Sequence, residues 1–273
     1  MSALPAWIVE IENLARGLPV VLVEGKEDAT WFSHFLDLHA VGWRSRAFLA
    51  AAEGKRHVIQ GVTVHRPSWI GIIDRDEWRE ADIIAAAGRS LRLHILPRFC
   101  IESYLCDPDE LWNALPAAQR DRVAEDINVW MGSIRQHIPD WVAHGAMWRV
   151  LREIHETSRF PSQLEEHPIT DEAQIRQILT SWHQQIAPDI VLARYQAELT
   201  LGREMPEPKQ LQQYIHGKKF FNQVIVQVLD QRFAGKGADD WQQRLRDTPI
   251  LPPSDLTALL DRALAQLPSA GMQ

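Results

Sequence analysis

The chain is 273 residues long and 45% hydrophobic, enough for one large domain or two ordinary ones around a packed core. Its formal net charge of −7 excludes a protein that coats nucleic acid through bulk positive charge, while leaving room for a local basic groove. Two cysteines, Cys100 and Cys106, are too few for a zinc motif or a disulfide framework; with no leader-like N-terminus and no apolar run near the ~18–20 residues of a membrane span, the expected setting is the reducing cytoplasm, away from membranes.

Apolar positions at helical spacing predict a helix over residues 5–16, stopped by Gly17 and Pro19. The β-branched run that follows predicts a strand over 19–23, ending at Glu24-Gly25. A helix is expected over 26–38, with Trp31, Phe32, Phe35 and Leu36 on one face and Asp28 in its first turn, where a carboxylate suits the helix dipole. A second strand is expected over 45–51, after which Glu53-Gly54-Lys55-Arg56-His57 opens a short helix whose glycine and cations suit a phosphate. Pro67 precedes a third strand over 69–73, closed by Asp74-Arg75-Asp76. A helix over 77–87 ends at Gly88, and a fourth strand over 91–96 delivers Pro97-Arg98 and Ile101-Glu102 to the same edge. This alternation predicts an α/β domain over residues 1–108, with a mostly parallel four-stranded sheet flanked by helices.

Past Pro108 the strand signal vanishes. Helices are expected over 109–114, 117–135, 139–155, 171–187, 189–201, 208–214, 218–234, 238–246 and 254–267, divided by prolines. No Gly/Ser-rich tether separates the halves, so residues 109–273 are expected to form a helical domain packed on the first. Many of the eleven tryptophans, Trp31, Trp148, Trp182 and Trp241 among them, fall in predicted helices, where helix packing is a commoner use than base stacking.

Two strands that stop at carboxylates are the main chemical signal. In an open α/β sheet the carboxyl ends of strands line the ligand crevice, so Glu24, Asp74 and Asp76 are placed to converge although they are far apart in sequence. Carboxylates gathered there need a cation, and an all-oxygen donor set favours Mg²⁺ or Mn²⁺ over Zn²⁺. Asp74 and Asp76 are candidate ligands if the chain turns sharply between them. Asp28 and Glu102 are further candidate metal positions, and Lys26, Lys55, Arg98 and Lys218 are candidate phosphate or nucleic-acid contacts.

These residues also carry a resemblance. A hydrophobic strand ending in Glu24-Gly25 with Asp28 a turn later, then a strand ending in Asp74-Arg75-Asp76, is similar to the Toprim domain shared by topoisomerases, bacterial primases and OLD-type nucleases. The segment Leu96-Pro97-Arg98-Phe99-Cys100-Ile101-Glu102-Ser103-Tyr104-Leu105 resembles the stretch after the last core strand in a bacterial branch of small Toprim proteins that includes the nuclease effector of the PARIS anti-phage system. His216-Gly217-Lys218-Lys219 resembles a Gly-Lys element in that branch's helical region. The Toprim part covers residues 16–106. The resemblance implies a Mg²⁺-dependent nuclease acting on DNA or RNA, tRNA included, as an anti-phage effector. It also implies Glu24 as metal ligand or general acid/base, and control by a separate ABC-type ATPase. The chain itself has no Gly-x-x-x-x-Gly-Lys-Ser/Thr phosphate loop.

Two other functions fit part of the pattern. A strand ending in Asp-x-Asp suits a phosphatase-like hydrolase with Asp74 as nucleophile and Asp76 as acid/base, although that motif usually closes a first strand and is followed by a small or hydroxyl residue; here it closes the third and precedes Glu77-Trp78. The other is a non-enzymatic adaptor, with a structural metal and a helical half that binds a partner.

Overall fold

The computed structural model describes residues 4–157, 171–248 and 252–267. Four short aliphatic runs form one all-parallel sheet: β1 (Val20–Val23), β2 (Phe48–Ala51), β3 (Ile70–Ile73) and β4 (Leu93–Ile95), in the order β2-β1-β3-β4. Val20 faces Phe48, Leu22 faces Gly71, and Ile72 faces His94. Because both faces are covered, β1 and β3 are buried throughout, which is why they read as unbroken aliphatic runs rather than alternating ones.

Side-chain alternation along the strands divides the core in two. Val20, Leu22, Ile73 and Leu93 face α1 (Ala6–Ala15) and α3 (Lys55–Gln60), meeting Ile8, Ile11 and Val58. Gly71 lets α3 approach this face, since a Cβ there would lie 2.8 Å from Val58 Cγ1. Val21, Val23, Ile70 and Ile72 face α2 (Lys26–His39) through Trp31, Phe32, Phe35 and Leu36, and the same buried cluster continues into the helical half through Phe221, Trp241 and Leu260. Helix α4 (Glu80–Ala87) and a 3₁₀ turn at Ile101–Leu105 complete the first half.

The helical half comprises α5 (Pro108–Ala114), α6 (Ala117–Val123), α7 (Ile127–Arg135), α8 (Ile138–Thr157), α9 (Glu172–Gln185), α10 (Pro188–Glu204), α11 (Glu207–Gln213), α12 (Gly217–Phe220), α13 (Val226–Arg232), α14 (Ala238–Arg246) and α15 (Ser254–Leu264). No helix among the described residues is long and apolar enough to cross a membrane.

Four expected elements are modified for local reasons. Residues 43–45 form a 3₁₀ turn, pinned by Arg44 Nη2 on Asp37 Oδ2 at 2.7 Å, so β2 begins only at Phe48. The helix expected from 77 starts at Glu80, because Asp76 adopts a left-handed φ of 51° and Trp78 N–H turns back onto the Arg75 carbonyl. The stretch 117–135 is two helices: Val123 and Asp126 leave helical geometry, and Glu125 and Asp126 lie at the positive start of α7. The stretch 218–234 carries a π turn at Phe221–Ile225, which leaves Phe221, Val224 and Ile225 all buried.

Candidate functional site

The site assembles at the carboxyl ends of β1 and β3. Glu24 follows β1, and its Oε1 accepts the Asp74 N–H at 2.9 Å, tying the two strand tips together. The left-handed residue Asp76 donates its N–H to the Phe99 carbonyl at 2.8 Å, so the chain turns sharply after β3. Arg75, between the two aspartates, is buried and reaches Glu80 instead at 3.1 Å. Asp28 sits in the first turn of α2, where its Oδ2 accepts the Gly25 N–H at 2.7 Å. Glu102 comes from the 3₁₀ turn and is 4% exposed.

Three more groups arrive from other segments. The loop leaving β2 follows the tip of β1, with Ala52 N–H on the Val23 carbonyl and Gly54 N–H on the Glu24 carbonyl, both at 2.9 Å. Gly54 has φ 129°, a conformation open to glycine, and it sets Lys55 as the first residue of α3 beside Glu24. From the helical half, Gly217 presses on the 3₁₀ turn so closely that a Cβ would lie 2.4 Å from Ser103 Oγ and 2.5 Å from its N. Only glycine fits there, and its neighbours His216 and Lys218 thereby line the same cleft. The cleft holds about 500 Å³, bounded by Asp28, Asp74, Asp76, Glu102, His216 and Lys218, with Lys26 among its further walls.

Electrostatically the cleft is short of positive charge. Lys55 is the cation held at the strand tips beside it. Its ammonium pairs with Asp76, donates to the Asp74 carbonyl at 2.8 Å, lies 3.8 Å from Glu24 Oε1 and sits 4.6 Å from the Trp78 ring centre. Lys218 is engaged by Glu27. Burial lifts the Glu24 carboxyl to about 7 against the pull of Lys55 and the Asp74 N–H, and Asp76 and Asp28 add to the rise. Burial likewise lifts Asp28 to about 6, with Glu102 adding repulsion. Asp74 is pushed well above the usual carboxylate range, first by burial and then by Asp28, Glu24, Asp76 and Glu102. Glu77, next along, is also raised by burial.

No protein-family model, no curated protein and no solved structure matches this chain. What the arrangement can do therefore follows from its own residues. The donor set is carboxylate oxygen, which suits a hard divalent cation. Among the described residues no three His, Cys, Asp or Glu side chains are grouped to hold a metal ion as they stand. The hydrogen bonding accounts for this: Asp28 is turned to Gly25 N–H, Glu24 to Asp74 N–H, and Asp76 to Lys55. A divalent ion there has to compete with the Lys55 ammonium for the same oxygens.

Of the residues singled out from sequence, Glu24, Asp28, Asp74, Asp76, Glu102, Lys26, Lys55 and Lys218 gather at this cleft. Arg98 does not, which corrects its expected role as a phosphate contact. It is buried, chelated by Asp255 at 2.9 Å and Glu110 at 2.7 Å, and stacked 4.2 Å from the Tyr104 ring centre; its guanidinium donors are committed to joining the sheet edge to α5 and α15. His216 was not singled out as a site residue. It stacks on Phe99 at 5.0 Å, its Nδ1 is buried without a hydrogen-bond partner, and burial lowers its pKa. Its position directly before the Gly217-Lys218 pair was the signal available. Cys100 also reaches the cleft wall, but burial and the nearby Glu102 and Asp74 push its thiol up, away from thiolate chemistry.

Proposed function

We propose that this chain is a divalent-cation-dependent nuclease of the Toprim type, hydrolysing phosphodiester bonds in DNA or RNA. The observation that carries the reading is the gathering of Glu24, Asp28, Asp74, Asp76 and Glu102, from three sequence-distant segments, about one cleft, where burial first and neighbouring acids second raise Glu24, Asp28 and Asp74. Such a site is held in an unfavourable electrostatic state that a Mg²⁺ or Mn²⁺ ion relieves. When bound, the ion supplies charge neutralisation at the phosphate and a more acidic water. Asp74, Asp76 and Glu24 are the residues to hold it, with Asp28 and Glu102 alongside.

The remaining roles belong to the chain's own side chains. Glu24, with its carboxyl lifted to about 7, is the group suited to moving a proton near neutral pH. Lys55 neutralises part of the cluster in the free protein through Asp76 and Glu24, and a cation bound there would free its ammonium to meet a substrate phosphate. Lys26 and Lys218 border the cleft and supply further cationic contacts. An anti-phage effector role under an ABC-type ATPase partner belongs to the same proposal and rests on the resemblance alone.

The test is cleavage of plasmid, single-stranded DNA and tRNA by wild type and Glu24→Ala in Mg²⁺, Mn²⁺ and chelator. Metal-dependent cutting abolished by the substitution supports the reading. Undiminished cutting by the variant overturns the assignment of Glu24, and thermal stabilisation by Mg²⁺ without turnover on any substrate favours the adaptor.

A further inference from the structure

Of the eleven tryptophans, Trp148 on α8 stands apart. It is 41% exposed, whereas Trp31 and Trp241 are 2% and 0% exposed and serve as core. An indole left this open gains little from packing, yet it is held in place. Its Nε1–H donates to His144 Nε2 at 2.8 Å one turn earlier, and the two rings meet edge to face. The Lys219 ammonium lies 4.7 Å from the ring centre. Arg152 follows one turn later on the same stripe, 5.7 Å from the ring of Trp78, which in turn sits against Lys55.

The platform adjoins the carboxylate cleft. Helix α8 is locked against residues 213–217: a Cβ on Gly145 would lie 1.8 Å from the Tyr214 carbonyl oxygen, and Arg149 donates to the Gln213 carbonyl at 2.7 Å while lying over the Tyr214 ring. Lys219 immediately follows Lys218, which lines the cleft together with His216. A partly exposed indole held by His144, with the Lys219 ammonium over its ring, is an arrangement that binds unpaired bases: the ring stacks on a base, and the ammonium meets the backbone. A duplex keeps its base faces stacked internally and cannot use such a platform without unpairing.

We infer that His144, Trp148 and Lys219 form a docking wall for single-stranded nucleic acid, with an unpaired base stacked on Trp148 and the adjoining phosphates on Lys219 and Lys218. The wall makes the substrate of the cleft a single strand, a loop or an extruded nucleotide. It rests on the nuclease reading for its purpose, but binding can be measured without turnover.

The experiment is fluorescence anisotropy of labelled single-stranded DNA, single-stranded RNA and duplex DNA with the full chain in Ca²⁺, the oligonucleotides checked on gels for integrity. The proteins are wild type, Trp148→Ala, Trp148→Phe and Lys219→Gln. Wild type is expected to bind a single strand more tightly than the duplex. Trp148→Ala should weaken single-strand binding by about 5- to 100-fold while Trp148→Phe retains most of it, in line with the usual worth of one stacked base. Lys219→Gln should lower the salt dependence of binding. The DNA and RNA arms identify the sugar. Unchanged single-strand affinity in Trp148→Ala, or a wild-type preference for duplex, overturns the inference. If wild type cuts nucleic acid but Trp148→Ala binds as well as wild type, the wall falls and the nuclease reading stands; if wild type neither binds nor cuts any arm, both fall.

Discussion

Two clusters of charged side chains are built on opposite principles. Between α4, α8 and α10, Arg79 pairs with Glu153 at 2.6 Å and Glu198 at 2.8 Å, Arg149 approaches Glu198 at 3.5 Å, Arg194 pairs with Glu153, and the Tyr214 hydroxyl donates to Glu198 at 2.7 Å. Each of those carboxylates is shared by two guanidiniums. At the strand tips, by contrast, acids outnumber cations: Lys55 pairs with Asp76 and lies 3.8 Å from Glu24, Lys218 is held by Glu27, and Glu24, Asp28 and Asp74 are all driven toward protonation, first by burial. The first cluster joins the helical half to the sheet. The second is the arrangement expected of a binding site, because burial of acid without matching counter-charge is favourable only when something else supplies the charge.

Removing one acid from each cluster separates the two principles. Asp74→Ala in the cleft is expected to lower cleavage by about 10³-fold or more, measured under single turnover, with a thermal melt close to that of wild type. Glu198→Ala in the network should leave Arg79, Arg149 and Tyr214 without their shared acceptor and cost about 3–5 kcal/mol in urea unfolding. A neutral Glu198→Ala would contradict a stabilising role for this network beside the shared apolar core.

The sign of the stability effect should reverse in the cleft. In chelator at pH 8, Asp74→Asn replaces an acid that burial and the neighbouring carboxylates disfavour and should stabilise the protein in urea unfolding. The smallest effect is a pH slope. Glu24 and Asp28 have folded-state pKa values of about 7 and about 6, above their ordinary values of 4.5 and 3.8, so the folded chain holds their protons more tightly than the unfolded one. Their contribution to stability is complete below pH ~4 and is lost as the pH rises toward ~7. In chelator, Glu24→Gln should therefore gain stability relative to wild type between pH ~5 and ~7.5; a constant difference across that window would contradict the assigned burial of Glu24.

The sheet and the acidic strand ends were legible because a fully buried parallel strand leaves an unmistakable aliphatic run, and the residue after it marks the edge. Val20–Val23 before Glu24 and Ile70–Ile73 before Asp74 are both of this kind. The place of Lys55 in the acid cluster was not legible, since it depends on β2 lying beside β1 and on the Gly54 N–H reaching the Glu24 carbonyl. Arg98 misled for a related reason. Its partners Glu110 and Asp255 are 12 and 157 positions away, and no local pattern distinguishes an arginine that faces a phosphate from one that closes a core. Trp148 and Trp241 both lie on helices, and only packing separates the exposed ring from the buried one.

The central claim is that the cleft is a divalent-cation site, and Mn²⁺ binding followed by the electron paramagnetic resonance signal of the free ion tests it without any substrate. Wild type should remove Mn²⁺ from solution in a saturable manner, and Asp74→Asn should lose that binding while remaining folded. Equal Mn²⁺ uptake by the two proteins, or none by wild type, would contradict the account.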